Sequence, residues 1–392
     1  MSTLNKIKLN PCTIYIVLWT IDFVQRMYLS SRYVDLFFYF INLGFVLFCS
    51  YKVLMSTKKT PTIRALCVFF VIMLFYGLAM ILTNNVPGQD RKSFIMTILH
   101  SLGPVFVFYY YSQKGLLNEN QLKFWFVVQL VIAFFYFYYV QRVESRIAYE
   151  AGHEYEEITN GSTYFFVGLI PFVFLWKRKP ILQYLFWAYT FFFLVIGMKR
   201  GAIVCGLILF VWFVRASMMD RRKKGRNAIV ILLTIITVIL AWNFVLQFYN
   251  SSDYFQQRYE STISGSSSNR DWIYLSLWQH YEESGNIIHY IFGYGAYYTI
   301  NITKGFMAHD DWLELLIDCG ALGVITYLVF YICFFKEWMK NKPDKLIYSI
   351  LGACFLLMFS KSIFSMTFTG MTFGTSMIMG YSLSCTYNKT LM

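Results

Sequence analysis

Charge is what this sequence has least of. Of its 392 residues only 14% are Asp, Glu, Lys or Arg, against 57% that are apolar. A water-soluble fold cannot hide that much apolar surface behind so few charges, so soluble enzymes and disordered chains are excluded. Cysteine is present but not where a disulfide framework would need it. All eight lie within or beside apolar runs, none falls in the long hydrophilic segment, and no CxxC pair occurs. They read as small core residues. The first apolar run leads into another span and not an A-x-A site, so it is expected to remain as a helix. No internal repeat is visible, which weakens a reading as an inverted-repeat transporter.

What the sequence does have is apolar runs long enough to cross a bilayer, which takes about 20 residues per helix. The fold class expected is all-α: a polytopic membrane protein with about 12 transmembrane helices and one large external loop containing amphipathic helices. The spans predicted are 10–27, 34–54, 65–83, 94–112, 122–141, 163–176, 181–197, 201–217, 227–248, 312–335, 346–363 and 365–385. Residues 181–217 would be too long for one helix. Gly197-Met-Lys-Arg-Gly201 is read as a tight hairpin with Lys199 and Arg200 at its tip, since cations at mid-bilayer are expensive.

The net charge of +13 raises nucleic acid as a partner, but the basic residues sit in short clusters between apolar runs. That is the pattern of loops held on the cytoplasmic side. With alternating sides, 22 Lys+Arg face 4 Asp+Glu on the side of the termini, against 12 and 17 on the other. Cytoplasmic termini are therefore expected, with no nucleic acid as partner. The chain divides into residues 1–248 with nine spans and an acidic outward loop at 142–162, a large outward loop at 249–308, and residues 309–392 with three spans. The large loop holds nine tyrosines and two tryptophans but few aliphatic residues, and so is expected to cover the membrane surface without a core of its own. Within it, 268–281 reads as an amphipathic helix capped by Ser268 or Asn269.

Three basic groups stand out. Two complete spans separate Arg200 from Arg270 and none separates Arg270 from His309, so all three face one aqueous side. Arg270 opposes the macrodipole in the first turn of its helix, a conflict that disappears when an anion sits there. The alternative is pairing with Asp271 or contact with lipid head groups. For Arg200 the alternative is an ordinary charged turn, although cations are disfavoured in outward turns. His309, beside Asp310 and Asp311, has the properties of a general base. A metal site built from His309, Asp310, Asp311 and Glu314 competes with that reading, but no second histidine lies at close helical spacing. Residues His100, His153, His280 and His289 read as structural.

The Lys-Arg-Gly turn, the Asn269-Arg-Asp-Trp-Ile segment leading to Gly293-Tyr-Gly295, and His309-x-x-Trp-Leu followed by Gly320-x-x-Gly323 resemble the O-antigen polymerase and ligase family. The motifs cover roughly 195–325, while residues 1–160 match in hydropathy alone. The resemblance implies a glycosyltransferase of the bacterial inner membrane, with its active site on the outer face and no cofactor or metal. Its donor would be an oligosaccharide linked through pyrophosphate to a polyprenyl lipid, and a flippase and a chain-length regulator would be its partners. His309, Arg200 and Arg270 are the implied catalytic residues; Lys199, Arg200, Arg270, Asp310 and Trp272 would bind pyrophosphate or sugar. Members of the family often have Asn after this His. Asp310 in its place is expected to raise the basicity of His309. The activity implied is polymerisation of repeat units, with ligation of finished glycan to another acceptor, or transport of the same lipid-linked sugars, as alternatives.

Overall fold

The computed structural model describes residues 10–28, 32–83, 90–150, 159–176, 179–219, 224–263 and 270–390. Every regular element among them is helical. The chain opens with α1 (Pro11–Tyr28), α2 (Arg32–Met55) and α3 (Pro61–Thr83). The pair α4 (Ser93–Ser101) and α5 (Gly103–Gln113) follows, then the long α6 (Glu119–Glu150). Next, α7 (Thr163–Leu169) runs into a 3-10 stretch at Ile170–Trp176, and α8 (Pro180–Ile196) turns back as α9 (Arg200–Met218). After α10 (Lys224–Ser251) come four shorter helices: α11 (Asp253–Ile263), α12 (Arg270–Glu283), α13 (Ile287–Phe292) and α14 (Tyr298–Ile302). The described chain ends in α15 (Asp311–Lys340), α16 (Lys345–Phe364) and α17 (Phe373–Thr390).

Eight of these units are long and apolar enough to cross a membrane: α2, α3, α4 with α5, α6, α9, α10, α15 and α16. The protein is an all-α polytopic membrane protein. The other four spans expected from the sequence coincide with α1, α7 and its 3-10 extension, α8 and α17, which fall outside that length and apolarity class.

Three boundaries differ from expectation, each for a local reason. The span at 94–112 is divided at Leu102, where Gly103-Pro104 follows and proline supplies no N–H to continue the ladder. The acidic loop expected from 142 starts later, because α6 continues to Glu150, with an Arg146–Glu150 pair at 2.8 Å in its last turn. The last span begins at Phe373 and not at 365. Residues 365–372 are drawn out of helical conformation because other partners take their backbone groups: Thr367 N–H and Phe368 N–H donate to Asp311, and Met371 N–H to Ser101. The cap expected at Ser268 or Asn269 lies outside the described residues.

Burial ranks the helices. Lys345–Phe364 is 72% enclosed and Ser93–Gln113 67%, whereas Asn227–Ser251 is 6% enclosed, so α16 and the α4–α5 pair form the centre and α10 the rim. Polar groups tie the centre together. Glu337 on α15 accepts from the N–H and hydroxyl of Thr62 on α3 and from the hydroxyl of Thr386 on α17.

The feature that positions the large loop is a break in α15. Gly320 adopts φ 62° and ψ −160°, which interrupts the helical ladder and frees carbonyls on its N-terminal side. The loop takes them up: Tyr294 N–H donates to Ile317 O and Gly295 N–H to Asp318 O, both at 2.9 Å. The hydroxyl of Tyr76 on α3 reaches Cys319 O at 3.2 Å. Gly293, at φ 71°, faces Gly320 so closely that a Cβ on either would stand 2.5 Å from the opposing segment's backbone. Positive φ and this approach together admit only glycine. The two glycine motifs seen separately in the sequence are therefore the two halves of one joint.

Two carboxylates on the first half of α15 hold the rest of the loop, and a third, Asp311, holds the segment after α16. Asp318 accepts from Tyr297 N–H (2.7 Å) and Thr299 N–H (3.1 Å), and Glu314 from Thr299 Oγ1 (2.6 Å) and Ala308 N–H (2.8 Å). Asp311 accepts from Thr367 N–H (2.9 Å) and from the Tyr327 hydroxyl (2.6 Å). All three are almost fully buried, a position a carboxylate tolerates only when it is this well supplied with donors. The loop does gather a small core, contrary to expectation: Ile273, Leu277 and Ala308 pack against Ile317 of α15.

Candidate active site

The α8–α9 hairpin presents the first two cations. It turns through Gly197, Met198 and Lys199, with Met198 at φ 48°. Asn160 braces it from the 142–162 segment: its N–H donates to Gly197 O at 2.8 Å, and its side-chain amide bonds Phe137 O and Gln141 at 3.0 Å each. Asn160 is wholly buried, so its N-x-Ser context is no glycan acceptor. Arg200 then opens α9, and Gly201 packs where a Cβ would press on the Tyr164 hydroxyl and stand 3.0 Å from Phe364 O. The same carbonyl accepts from Arg270 Nη1 at 3.3 Å. The end of α16 thereby sets the spacing between the two arginine-bearing helices, α9 and α12.

His309 is held by its neighbours on both sides. Ala308 N–H is bound by Glu314, and Asp310 caps α15 by accepting from Trp312 N–H and Leu313 N–H at 2.9 Å. His309 itself has φ 55°, a left-handed conformation that costs of order 1–3 kcal/mol in a non-glycine residue and is retained where the surroundings determine it.

A cavity of about 940 Å³ joins these groups, lined by Lys199, Arg200, Arg270, Trp272, His309 and Asp310 with Thr159, Tyr274, Phe306, Phe364 and others. All six residues singled out from the sequence thus converge on one space. Trp272 lies at its edge, 48% exposed. The cavity holds three cations beside one imidazole, a setting suited to an anionic group and a proton acceptor in one pocket.

The electrostatics correct one expectation. The imidazole of His309 is pushed below its ordinary pKa, first by the protein crowding it and then by the charges of Arg270 and Lys199. Asp310 does not raise its basicity, because its carboxylate is turned to the helix N–H groups. Burial raises the Asp310 carboxyl itself, against the opposing pull of those N–H groups and Arg270. A depressed pKa keeps His309 neutral near pH 7, the form that accepts a proton.

The competing metal reading loses its ligands to the fold. Asp311 and Glu314 are taken up by protein donors, and among the described residues no group of three or more His, Cys, Asp or Glu is placed to hold an ion. Of the remaining histidines, His100 bonds Met96 O at 2.8 Å, and His280 and His289 both pack on Tyr294. His153 lies outside the described residues.

Sequence reasoning missed Tyr274, Thr159 and the Phe364 carbonyl. Tyr274 carried a signal, being four residues after Arg270 on one helix face. A backbone carbonyl carries none. No protein-family model matches the chain, and no curated protein matches it.

Proposed function

We propose that the protein is a glycosyltransferase that polymerises oligosaccharide repeats carried on a polyprenyl pyrophosphate, working at the outer face of the bacterial cytoplasmic membrane with its termini inside. The observation that carries this reading is the convergence of Lys199, Arg200, Arg270 and a neutral His309, from three distant segments, on one cavity beside a membrane bundle.

The chemistry assigned to these groups balances without a further reactant. The hydroxyl oxygen of the acceptor sugar attacks the anomeric carbon of the donor and its proton passes to His309. The bond from that carbon to the pyrophosphate oxygen breaks on the opposite face, and the pyrophosphate leaves with the electron pair. The anomeric centre is inverted. Arg200 and Arg270, with Lys199, stabilise the growing negative charge, and planar guanidinium groups match phosphate oxygens in pairs. Trp272 and Tyr274 offer flat and hydroxyl-bearing faces to sugars.

The purified protein supplied with lipid-linked single repeats should form new glycosidic bonds between them. No bond formation, with the same lipids moved across vesicles, would replace the proposal with transport. Full-length lipid-linked polymer accumulating in a deletion strain would make the protein a ligase.

A second test reads His309 directly. Its rate of acylation by diethyl pyrocarbonate should titrate with a midpoint below the ordinary value of about 6.5. Two of the causes are cations, and removing one relieves the imidazolium, so Arg270→Gln should move the midpoint upward. An unchanged midpoint would show that the guanidinium does not face the imidazole.

A further inference from the structure

A second and larger cavity opens at the other end of the bundle. α15 ends at Lys340 and α16 starts at Lys345 and runs to Phe364 beside the candidate site. Twenty residues of helix put the two ends roughly 30 Å apart. The basin there has a volume of about 1050 Å³ and is lined by Lys59, Arg64, Lys336, Lys340 and Lys345, with two carboxylates, Glu337 and Asp344.

Both acids already have protein donors. Glu337 is buried and accepts from Thr62 and Thr386, while Asp344 caps α16 by accepting from Leu346 N–H (3.0 Å) and Ile347 N–H (3.2 Å). Five cations against two carboxylates leave the basin's lining with an excess of positive charge. Of these, Lys59 is steadied by donating to Leu54 O at 2.6 Å.

An apolar groove of about 670 Å³ adjoins this basin along α3, lined by Leu54, Cys67, Val68, Val71 and Ile72. Lys59 and Arg64 line both spaces and so form their common rim. A soluble anion would use the basin and leave the groove idle. A molecule with a charged head and a hydrocarbon tail would use both.

We propose that the basin and groove together bind an anionic phospholipid, its phosphate among Lys336, Lys340 and Arg64 and one acyl chain along Val68 and Val71. Basic pockets between membrane helices are suited to such head groups, and each nearby Lys or Arg strengthens the attraction. This site is separate from the candidate active site and stands whether or not the protein transfers sugars.

The test uses the full chain purified in a neutral detergent. Its melting temperature is followed against phosphatidylglycerol, phosphatidylcholine and sodium phosphate. Phosphatidylglycerol should raise it saturably, and the other two should not. The double variant Lys336→Gln/Lys340→Gln should weaken that binding about tenfold to thirtyfold. Val68 is 54% exposed, so Val68→Trp should be tolerated; it fills the groove without touching the charge. It should weaken a long-chain lipid and leave a short-chain analogue unaffected. Equal stabilisation by phosphatidylcholine, or full reproduction of the effect by sodium phosphate, would overturn the proposal. So would unaltered lipid binding in both variants.

Discussion

His309→Ala is expected to abolish chain growth while the protein inserts and accumulates normally. A proton acceptor of this kind contributes about 10²–10⁴-fold to a rate, equivalent to roughly 3–5 kcal/mol at 1.36 kcal/mol per decade. The loss should appear in the turnover number of lipid-linked repeats and not in protein yield, since the imidazole is exposed to the cavity and holds no part of the bundle together. Arg200→Lys and Arg270→Lys should each cost about 10²–10³-fold, because a point charge does not reproduce a planar fork aimed at developing charge. Arg270→Lys carries an additional structural signature, the lost bond to Phe364 O. Polymer of normal length and amount from the His309→Ala strain would remove the general-base role. Full activity in both lysine variants would reduce the arginines to topology.

The other large effect belongs to the joint at the break in α15. Gly320→Ala is expected to destabilise the protein by more than about 4 kcal/mol, a range reached by few single substitutions. Two penalties combine there. The alanine would have to hold φ 62° with ψ −160°, a region essentially reserved for glycine and costing about 1–3 kcal/mol, and its Cβ would stand 2.5–2.6 Å from backbone atoms of Gly293 and Ile291. Backbone on both sides leaves nothing flexible to yield. Gly115 is the internal control, since it has φ 70° with open space around it, so Gly115→Ala should cost only the conformational part. Melting temperature and protease cleavage within 249–308 would measure both. Equal behaviour of the two alanine variants would show that the loop does not depend on its docking at Gly320.

Much of the fold was legible because membrane helices announce themselves by apolar length alone. The tight hairpin at 197–201 followed from the cost of mid-bilayer cations, and the helix at 270–283 from its pattern. What stayed hidden had non-local causes. The delayed start of α17 depends on Asp311 capturing Thr367 and Phe368, contacts 56 and 57 residues away. Division of the span at 94–112 was written locally in Gly103-Pro104, but apolar content masked it. At the candidate site Arg200, Arg270 and His309 were legible as basic groups in unusual places, and Lys199, Asp310 and Trp272 through the resemblance. The function of Asp310 as a cap, the direction in which His309 is shifted, and the Phe364 carbonyl between α9 and α12 were not, because each depends on geometry among separate helices. Asp311 and Glu314 read as alternative metal ligands, whereas Glu314, together with Asp318, accepts from the loop, and Asp311 accepts from the segment after α16.

The bond from Thr367 to Asp311 has a consequence for the order of synthesis. The acceptor leaves the ribosome before its donor does, and α16 must be made in between. Until then the aspartate at the head of α15 has only the Tyr327 hydroxyl to satisfy it, and the cavity lacks the wall that Ile363 and Phe364 supply. The pocket is therefore completed among the last events in the life of the nascent chain. Stalled chains ending at residue 360 should leave the preceding loop open to proteases, while chains released past 390 should protect it.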